Sequence, residues 1–337
     1  MLSPGILVVR FGSIGDILLA TPLIRVIRQR YPHARLNVLT QRRYAPLLSD
    51  NPNLDEVVAV APKDPLVAVA RRLRYARYTF VLDLENTART RLLRLVVPAR
   101  WRTAPQYRME RELLVRTKVS RYPEDSPVAE RFFDAGRDLE LEPDGGPPEL
   151  FINPEADQQA AAWLERAQIG VGRPFVAFAP GGSKPTKRWP LDYWVTLVRR
   201  VVNTGADAVM VGGAPDGALA TEIAARSSKR AVSAAGVLGL QATGAVLRRA
   251  AALVTGHTAA MHMATAVGTP LVALAGPTVR QFGYYPYNAV RATVLERDLP
   301  CRPCARDGGP ECPLEHHFCM REIPPEAVFT ALARTLA

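Results

Sequence analysis

Apolar residues along this chain fall into short continuous runs, and the runs are separated by stretches of helical period. Ile6–Val9 is a β-branched apolar run, and Leu18, Leu19, Pro22, Leu23, Val26 and Ile27 then recur near i, i+3 and i+4. That pattern predicts a buried strand feeding about four turns of helix with one buried face. The alternation continues. Leu36–Thr40, Glu56–Val60 and Thr79–Leu84 read as strands, with a short helix over Tyr44–Leu48, a turn at Asn51–Asn53 and a helix over Leu66–Tyr75. Leu92–Val97 and Ala129–Leu139 carry the pattern on less clearly, up to a cluster of proline, glycine and acid at Glu142–Pro154. A second series follows: helix Glu155–Gln168, strand Phe175–Ala179, helix Leu191–Asn203 and strand Ala208–Val211. Strand Leu253–Thr255, helix Thr258–Val267 and strand Leu271–Leu274 complete it. Strands alternating with helices imply parallel sheets covered on both faces. The chain is therefore expected to be α/β, with two domains of similar size, residues 1–152 and 153–337, facing a cleft suited to a ligand.

The loops between the runs carry the candidate chemistry. Gly12-Ser13-Ile14-Gly15-Asp16 joins the first strand to its helix and is not the dinucleotide G-x-G-x-x-G. Asp16 has two readings there: a helix cap and dipole partner, or a general base at the mouth of a cleft. Pro180–Pro190 holds Gly181, Gly182, Ser183 and Thr186 beside Lys184, Lys187 and Arg188, just before a helix. Glycines and cations in that position suit a phosphate group, although the P-loop sequence is missing; a solvated basic loop is the alternative. Gly256-His257-Thr258 opens a further helix, which carries His262. A lone helical histidine is usually a packed or capping residue.

Composition narrows the classes. The 337 residues are 48% hydrophobic and 22% charged, as in ordinary globular proteins, and no apolar run approaches the ~18 residues of a membrane span. No secretory leader is visible at the N-terminus, so the expected compartment is the cytoplasm. The net charge of +11 is concentrated: Arg71–Lys118 holds twelve arginines and one lysine against four acids. Such a stretch suits a phosphorylated or carboxylated substrate or an anionic membrane surface, or it is a solvated helical face. No standard nucleic-acid module is present. All four cysteines, Cys301, Cys304, Cys312 and Cys319, lie in one C-x2-C-x7-C-x6-C segment that also contains His316 and His317. In a cytosolic chain this clustering reads as a structural zinc or iron site before disulfides, with free thiols or a redox pair as alternatives.

Three stretches, VVRFGSIGDILLATPLIRVIR, PGGSKPTKRWPLDYW and VTGHTAAMHMATAVGTPLVALAGPT, together resemble glycosyltransferase family 9, the heptosyltransferases of lipopolysaccharide core assembly. The resemblance covers nearly the whole chain in the expected order. It implies a GT-B fold of two Rossmann-like domains, the first for the acceptor and the second for an ADP-sugar, with the last helix, here Pro325–Ala337, packing back on the first domain. It implies Asp16 as catalytic base and Lys187 as the lysine facing the donor diphosphate. Gly182, Ser183, Arg188, Thr258, Ala259 and His262 match donor-binding positions, and Asp216 is a weaker candidate for the adenosine ribose. Gly15, Arg89 and Arg91 are assigned to the acceptor. This chain departs from the family at Gly256-His257-Thr258-Ala259, where Asn-Asp-Thr/Ser-Gly is usual, so His257 replaces an acidic donor contact.

The expected activity is inverting transfer of a heptose or related sugar to an anionic glycolipid at the inner membrane face. No metal is needed for the chemistry, because no Asp-x-Asp motif is present and fixed cations can carry the diphosphate charge. A carboxylate at a helix start has a lowered pKa, which weakens it as a base and favours a share in orienting the hydroxyl. Transfer of another sugar, a protein acceptor, or a catalytically silent nucleotide- or glycan-binding protein are the competing readings.

Overall fold

The computed structural model describes residues 4–123 and 126–337. The chain divides into two compact units, and it changes unit more often than the single expected crossing near residue 152. Residues up to Tyr107 form the first unit together with Ser126–Phe151; the segment beginning at Arg108 joins Ile152–Ala337 in the second.

The first unit is built on β1 (Gly5–Val9), flanked by β2 (Arg35–Gln41) and β4 (Phe80–Asp83), with β3 (Glu56–Val60) and β5 (Arg100–Thr103) at the edges. All pairings are parallel, and Val9 lies opposite both Leu39 and Asp83. The carboxyl ends of β1 and β4 are thus level, so the residues after them, Arg10 and Leu84–Glu85, emerge side by side. Leu7, Val9, Leu39, Val58, Val81 and Leu93 fill the core on one face. Each such side chain contributes about 1.5–3 kcal/mol on burial.

The expected four-turn helix is two helices, α1 (Ile14–Leu19) and α2 (Thr21–Arg30). Pro22 has no N–H to continue the ladder and sits in the first turn of α2, where none is needed, while the Thr21 hydroxyl donates to the Leu18 carbonyl at 2.7 Å. The short helix expected over Tyr44–Leu48 is a 3₁₀ segment, Arg42–Leu47, with Pro46 inside it. Helices α3 (Leu66–Ala76) and α4 (Ala88–Val96) pack against each other in this unit.

The second unit begins with α5 (Arg108–Thr117); α6 (Val128–Arg131) belongs to the first. The basic stretch Arg71–Lys118 is therefore divided between the units. Part of it is used in internal contacts of the second unit: Arg111 lies over the Phe282 ring at 5.3 Å, and Lys118 Nζ donates to the Pro303 carbonyl at 2.7 Å. Helix α7 (Pro154–Arg166) is capped by Asn153, whose side chain accepts from the Ala156 N–H at 2.7 Å. A six-stranded sheet follows, built from β6 (Phe175–Ala179), β7 (Asp207–Met210), β8 (Ala231–Ser233), β9 (Ala252–Gly256), β10 (Leu271–Ala275) and β11 (Ala292–Glu296). Its order is β11-β10-β9-β6-β7-β8, parallel throughout. Ala179 pairs with Thr255 and Leu274 with Gly256, so the loops leaving β6, β9 and β10 share one end of the sheet.

Helices α8 (Leu191–Asn203), α9 (Gly217–Ser227), α10 (Leu240–Arg249) and α11 (Ala259–Ala266) connect these strands. Beyond β11 come the single turn α12 (Phe318–Arg321) and α13 (Pro325–Leu336). Trp194, Leu197, Val198 and Val201 of α8 share a core with Val328, Ala331 and Leu332 of α13. Within its own unit the last helix packs on α8 and on β9, β10 and β11. Its apolar face is matched by that sheet. No helix of the described residues is long and apolar enough to cross a membrane.

Candidate active site

In the first unit the site residues gather at the carboxyl ends of β1 and β4, where open α/β sheets bind ligands. Arg10, directly after β1, is buried and holds the centre together. Its Nη1 donates to the Leu84 carbonyl at 2.5 Å, its Nη2 pairs with Asp16 Oδ2 at 2.8 Å, and its Nε lies 3.4 Å from Glu85 Oε2. The same Asp16 oxygen accepts from the Ser13 N–H at 3.0 Å and the Ser13 hydroxyl at 2.8 Å. Asp16 is thus both the cap of α1 and the partner of Arg10, which combines its two sequence readings. Burial pushes its carboxyl up, but the Arg10 charge and the Ser13 donors outweigh burial and leave it below the ordinary range. Glu85 moves the other way. Burial raises it, the Asp16 and Asp83 charges add to that, and Arg10 with the Phe11 N–H only partly opposes them.

Gly15 is buried in α1 next to Asp16. Arg89 stacks over the Phe11 ring at 4.7 Å, and its buried Nη2 has no hydrogen-bond partner among the described residues. Arg91 is exposed and donates from Nε and Nη2 to the Asn86 side chain at 3.2 Å. Glu85 was missed by sequence reasoning, since it lies 74 positions from the backbone N–H that holds it. Its signal was present as the second acid of Asp83-Leu84-Glu85 at a strand end.

In the second unit, the loop after β6 turns through a 3₁₀ segment, Pro185–Lys187. Lys187 is buried and forms an ion pair with the exposed Asp307. The turn is clamped by the cysteine-bearing segment. The Thr186 hydroxyl donates to the Gly309 carbonyl at 3.1 Å and accepts from the Gly309 N–H at 2.8 Å, while His317 Nε2 donates to the Thr186 carbonyl at 2.8 Å. Gly308 makes this approach possible: its φ is +78°, and a Cβ there would lie 2.9 Å from the Thr186 hydroxyl oxygen. Gly182 and Ser183 lie at the partly open edge of the loop, and the exposed Arg188 folds back to donate to the Gly182 carbonyl at 3.2 Å.

Asp216 accepts from the Gly213 N–H at 3.1 Å and presses on Gly181, where a Cβ would meet its Oδ1 at 2.2 Å. It therefore joins the loops after β6 and β7. Thr258 is the N-cap residue of α11, its hydroxyl 2.9 Å from that of Thr255, and Ala259 is the first helical residue. His262 is buried one turn on, 6.5 Å from the Tyr284 ring.

His257 is engaged within the unit through both ring nitrogens. Nε2 lies 2.6 Å from the Tyr284 carbonyl and Nδ1 lies 3.0 Å from the Thr278 hydroxyl. A carbonyl only accepts, so Nε2 carries the proton and Nδ1 accepts from Thr278. Burial, helped by the charge of Lys187, holds this histidine down at about 4, so it is neutral at physiological pH.

Cys301, Cys304, Cys312 and Cys319 are free thiols. Burial and then the neighbouring cysteines raise Cys304, and they push Cys319 up to about 12. The four are near enough to affect one another. Among the described residues, however, no three His, Cys, Asp or Glu side chains are grouped so as to hold a metal ion.

A profile of glycosyltransferase family 9 (heptosyltransferase) matches residues 66–314. Lipopolysaccharide heptosyltransferase 2 of Salmonella typhimurium is 27% identical over 82% of this chain and 84% of its own length. Among solved structures, E. coli ADP-heptose lps heptosyltransferase II superposes with a TM-score of 0.76, 23% identity and 98% coverage of both chains. The iron-containing dodecameric glycosyltransferase TibC of E. coli superposes with a TM-score of 0.60 at 14% identity, covering 98% of this chain and 78% of that one.

Proposed function

Because the chain belongs to glycosyltransferase family 9, we propose that it transfers a heptose from ADP-heptose to an anionic lipopolysaccharide-core acceptor. It is a glycosyltransferase of the two-unit α/β fold that the family's solved structures share. The observation that carries the substrate reading is the buried Lys187, held at the carboxyl end of the second sheet with the exposed Asp307 carboxylate as its counterion among the described residues. A buried ammonium with an exchangeable anionic partner suits a diphosphate. The N-terminus of α11 and Arg188 supply further positive potential on the same unit. On this reading Gly182, Ser183, Thr258, Ala259 and His262 line the donor, Asp216 supports the loop that holds it, and His257 acts through Thr278 and Tyr284.

Acceptor binding is assigned to the first unit, at Gly15, Arg89 and Arg91, with Asp16, Arg10 and Glu85 activating the hydroxyl. An in-line displacement at the sugar's anomeric carbon inverts its configuration. The departing diphosphate is stabilised by Lys187 without a catalytic metal. The reading includes residence at the cytoplasmic face of the inner membrane. Helices α3 and α4 support this, since they expose Tyr75 (90%) and Leu95 (80%) among the exposed Arg71, Arg74, Arg91 and Arg94. Exposed apolar chains set among arginines suit an anionic lipid surface. A structural zinc or iron at the cysteine segment is part of the proposal, supported by the cysteine spacing and by the iron of the TibC neighbour. The thiols as placed do not form the site, so no step is assigned to it.

Calorimetric titration with ADP, UDP and GDP tests the donor assignment. Selective binding of ADP is expected, and binding of none of the three would contradict it.

A further inference from the structure

We propose that α5 braces the donor side of the second unit, with Arg111 as a positioning residue for donor binding. The assignment rests on the donor reading above. It starts from the division of the chain, which puts α5 in the second unit although its arginines belong to the basic stretch Arg71–Lys118. Arg111 lies over the Phe282 and Tyr284 rings, at 5.3 and 5.7 Å. A planar guanidinium laid on two aromatic rings fixes them as they fix it. The Tyr284 carbonyl accepts from His257 Nε2 at 2.6 Å, and the Tyr284 ring meets the buried His262 ring with centroids 6.5 Å apart. His257 directly precedes Thr258, the N-cap of α11, and His262 lies one turn into that helix. Arg111 is therefore joined to both ends of the first turn of α11 through one tyrosine.

A second set of contacts runs from the same helix to the segment that clamps Lys187. Lys118, directly after α5, donates from Nζ to the Pro303 carbonyl at 2.7 Å, and Glu112 Oε2 accepts from Arg306 Nε at 2.5 Å. Next along, Asp307 pairs with Lys187 and Gly309 exchanges hydrogen bonds with Thr186. Helix α5 thus reaches both segments that support the candidate diphosphate contacts. The loop leading to Tyr284 is also gripped at its start by Arg302, which donates to the Gly276 and Thr278 carbonyls at 2.7 Å. The Glu112–Arg306 pair is exposed and contributes little, so the ring-stacked Arg111 is the stronger tie. Groups that bind a ligand hold it well only while the residues behind them are fixed.

The test is ADP affinity by calorimetry, with donor and acceptor KM for transfer from ADP-heptose. The proteins compared are wild type, Arg111→Met, Arg111→Lys, His257→Gln and the double variant Arg111→Met with His257→Gln, each checked for folding by circular dichroism and thermal unfolding. Arg111→Met is expected to weaken ADP binding by about three- to tenfold and to raise donor KM alike, with acceptor KM unchanged. Arg111→Lys keeps a cation over the rings and should recover most of the loss. Because Arg111 acts through Tyr284 and His257, the double variant should bind ADP little worse than the weaker-binding single variant. A residue needed only for packing would lower the unfolding temperature without that pattern. The proposal is overturned if folded Arg111→Met binds ADP as wild type does, if it raises acceptor KM in place of donor KM, or if the two substitutions multiply in full. Should Arg111→Met not fold, Arg111→Gln takes its place under the same criteria. Wild type that binds no ADP would overturn the donor reading itself, and this assignment with it.

Discussion

Lys187 and Asp307 are joined by an ion pair in which the lysine is buried and the aspartate exposed. The two lie 120 positions apart and meet because the Thr186–Gly309 hydrogen bonds fasten the cysteine segment onto the loop after β6. On the proposed donor assignment, Asp307 stands where the diphosphate would bind and competes with it for Lys187. Asp307→Asn should therefore tighten ADP binding by up to about fivefold, the scale of one solvent-screened ion pair. Lys187→Ala should weaken it by roughly 10–100-fold, as for loss of a charged hydrogen bond. Titration of both variants with ADP checks the pair of expectations; equal affinities in all three proteins would contradict the role of Lys187.

His257 makes a second prediction, for stability against pH. Its folded pKa lies at about 4, below the ordinary value of 6.5. Between those two values the unfolded chain binds a proton that the folded chain does not, so stability rises with pH across that window and is flat below it. The contribution fully present above pH 6.5 is roughly 3 kcal/mol. His257→Gln should remove most of this slope in chemical denaturation between pH 4 and 7. His257→Asp should cost stability as well, since a carboxylate would face the Tyr284 carbonyl that the ring N–H now satisfies. An unchanged slope in His257→Gln would show that the histidine is not held neutral.

What the chain made legible follows burial. The central strands β1, β4, β6, β9 and β10 are apolar runs, and their pattern is plain. The strands that periodicity missed, β5, β8 and β11, are all sheet edges. Arg100 and Arg102 in β5, and the partly exposed positions of β8 and β11, hide an edge strand from any rule based on continuous burial. The same holds for the site. Asp16, Lys187 and Thr258 stand in glycine-bearing or helix-opening loops, and their residue types suggest chemistry locally. Glu85 carries only a faint local mark, as the second acid of Asp83-Leu84-Glu85 at a strand end, and Asp307 carries none. They become partners of Arg10 and Lys187 only through sheet register and loop packing. His257 stands where the family usually has an acidic donor contact, and the use of its two ring nitrogens on Thr278 and Tyr284 is likewise visible only in the fold.

The exposed face of α3 and α4 leads to a third expectation. Replacing Tyr75 and Leu95 together by Glu should lower binding to anionic phospholipid vesicles by about tenfold or more, through lost apolar burial and added repulsion. ADP affinity should be unchanged. Vesicle flotation at two salt concentrations measures it. Equal binding by wild type and variant would remove this face from the membrane reading.

For the cysteine segment, elemental analysis of protein purified without added metal should find about one zinc or iron per chain. Cys304→Ser should abolish it. A content near zero with four titratable thiols would assign the segment to packing alone, as the clamp on Thr186.

The central claim is glycosyl transfer, and one measurement meets it directly: incubation of the purified chain with ADP-heptose and a lipopolysaccharide inner-core acceptor, followed by mass spectrometry and NMR of the product. The account predicts release of ADP, an acceptor heavier by one heptose, and a new glycosidic bond whose anomeric configuration is opposite to that of the donor. Retention of configuration would contradict the displacement mechanism, and an unmodified acceptor with ADP-heptose intact would contradict the claim itself.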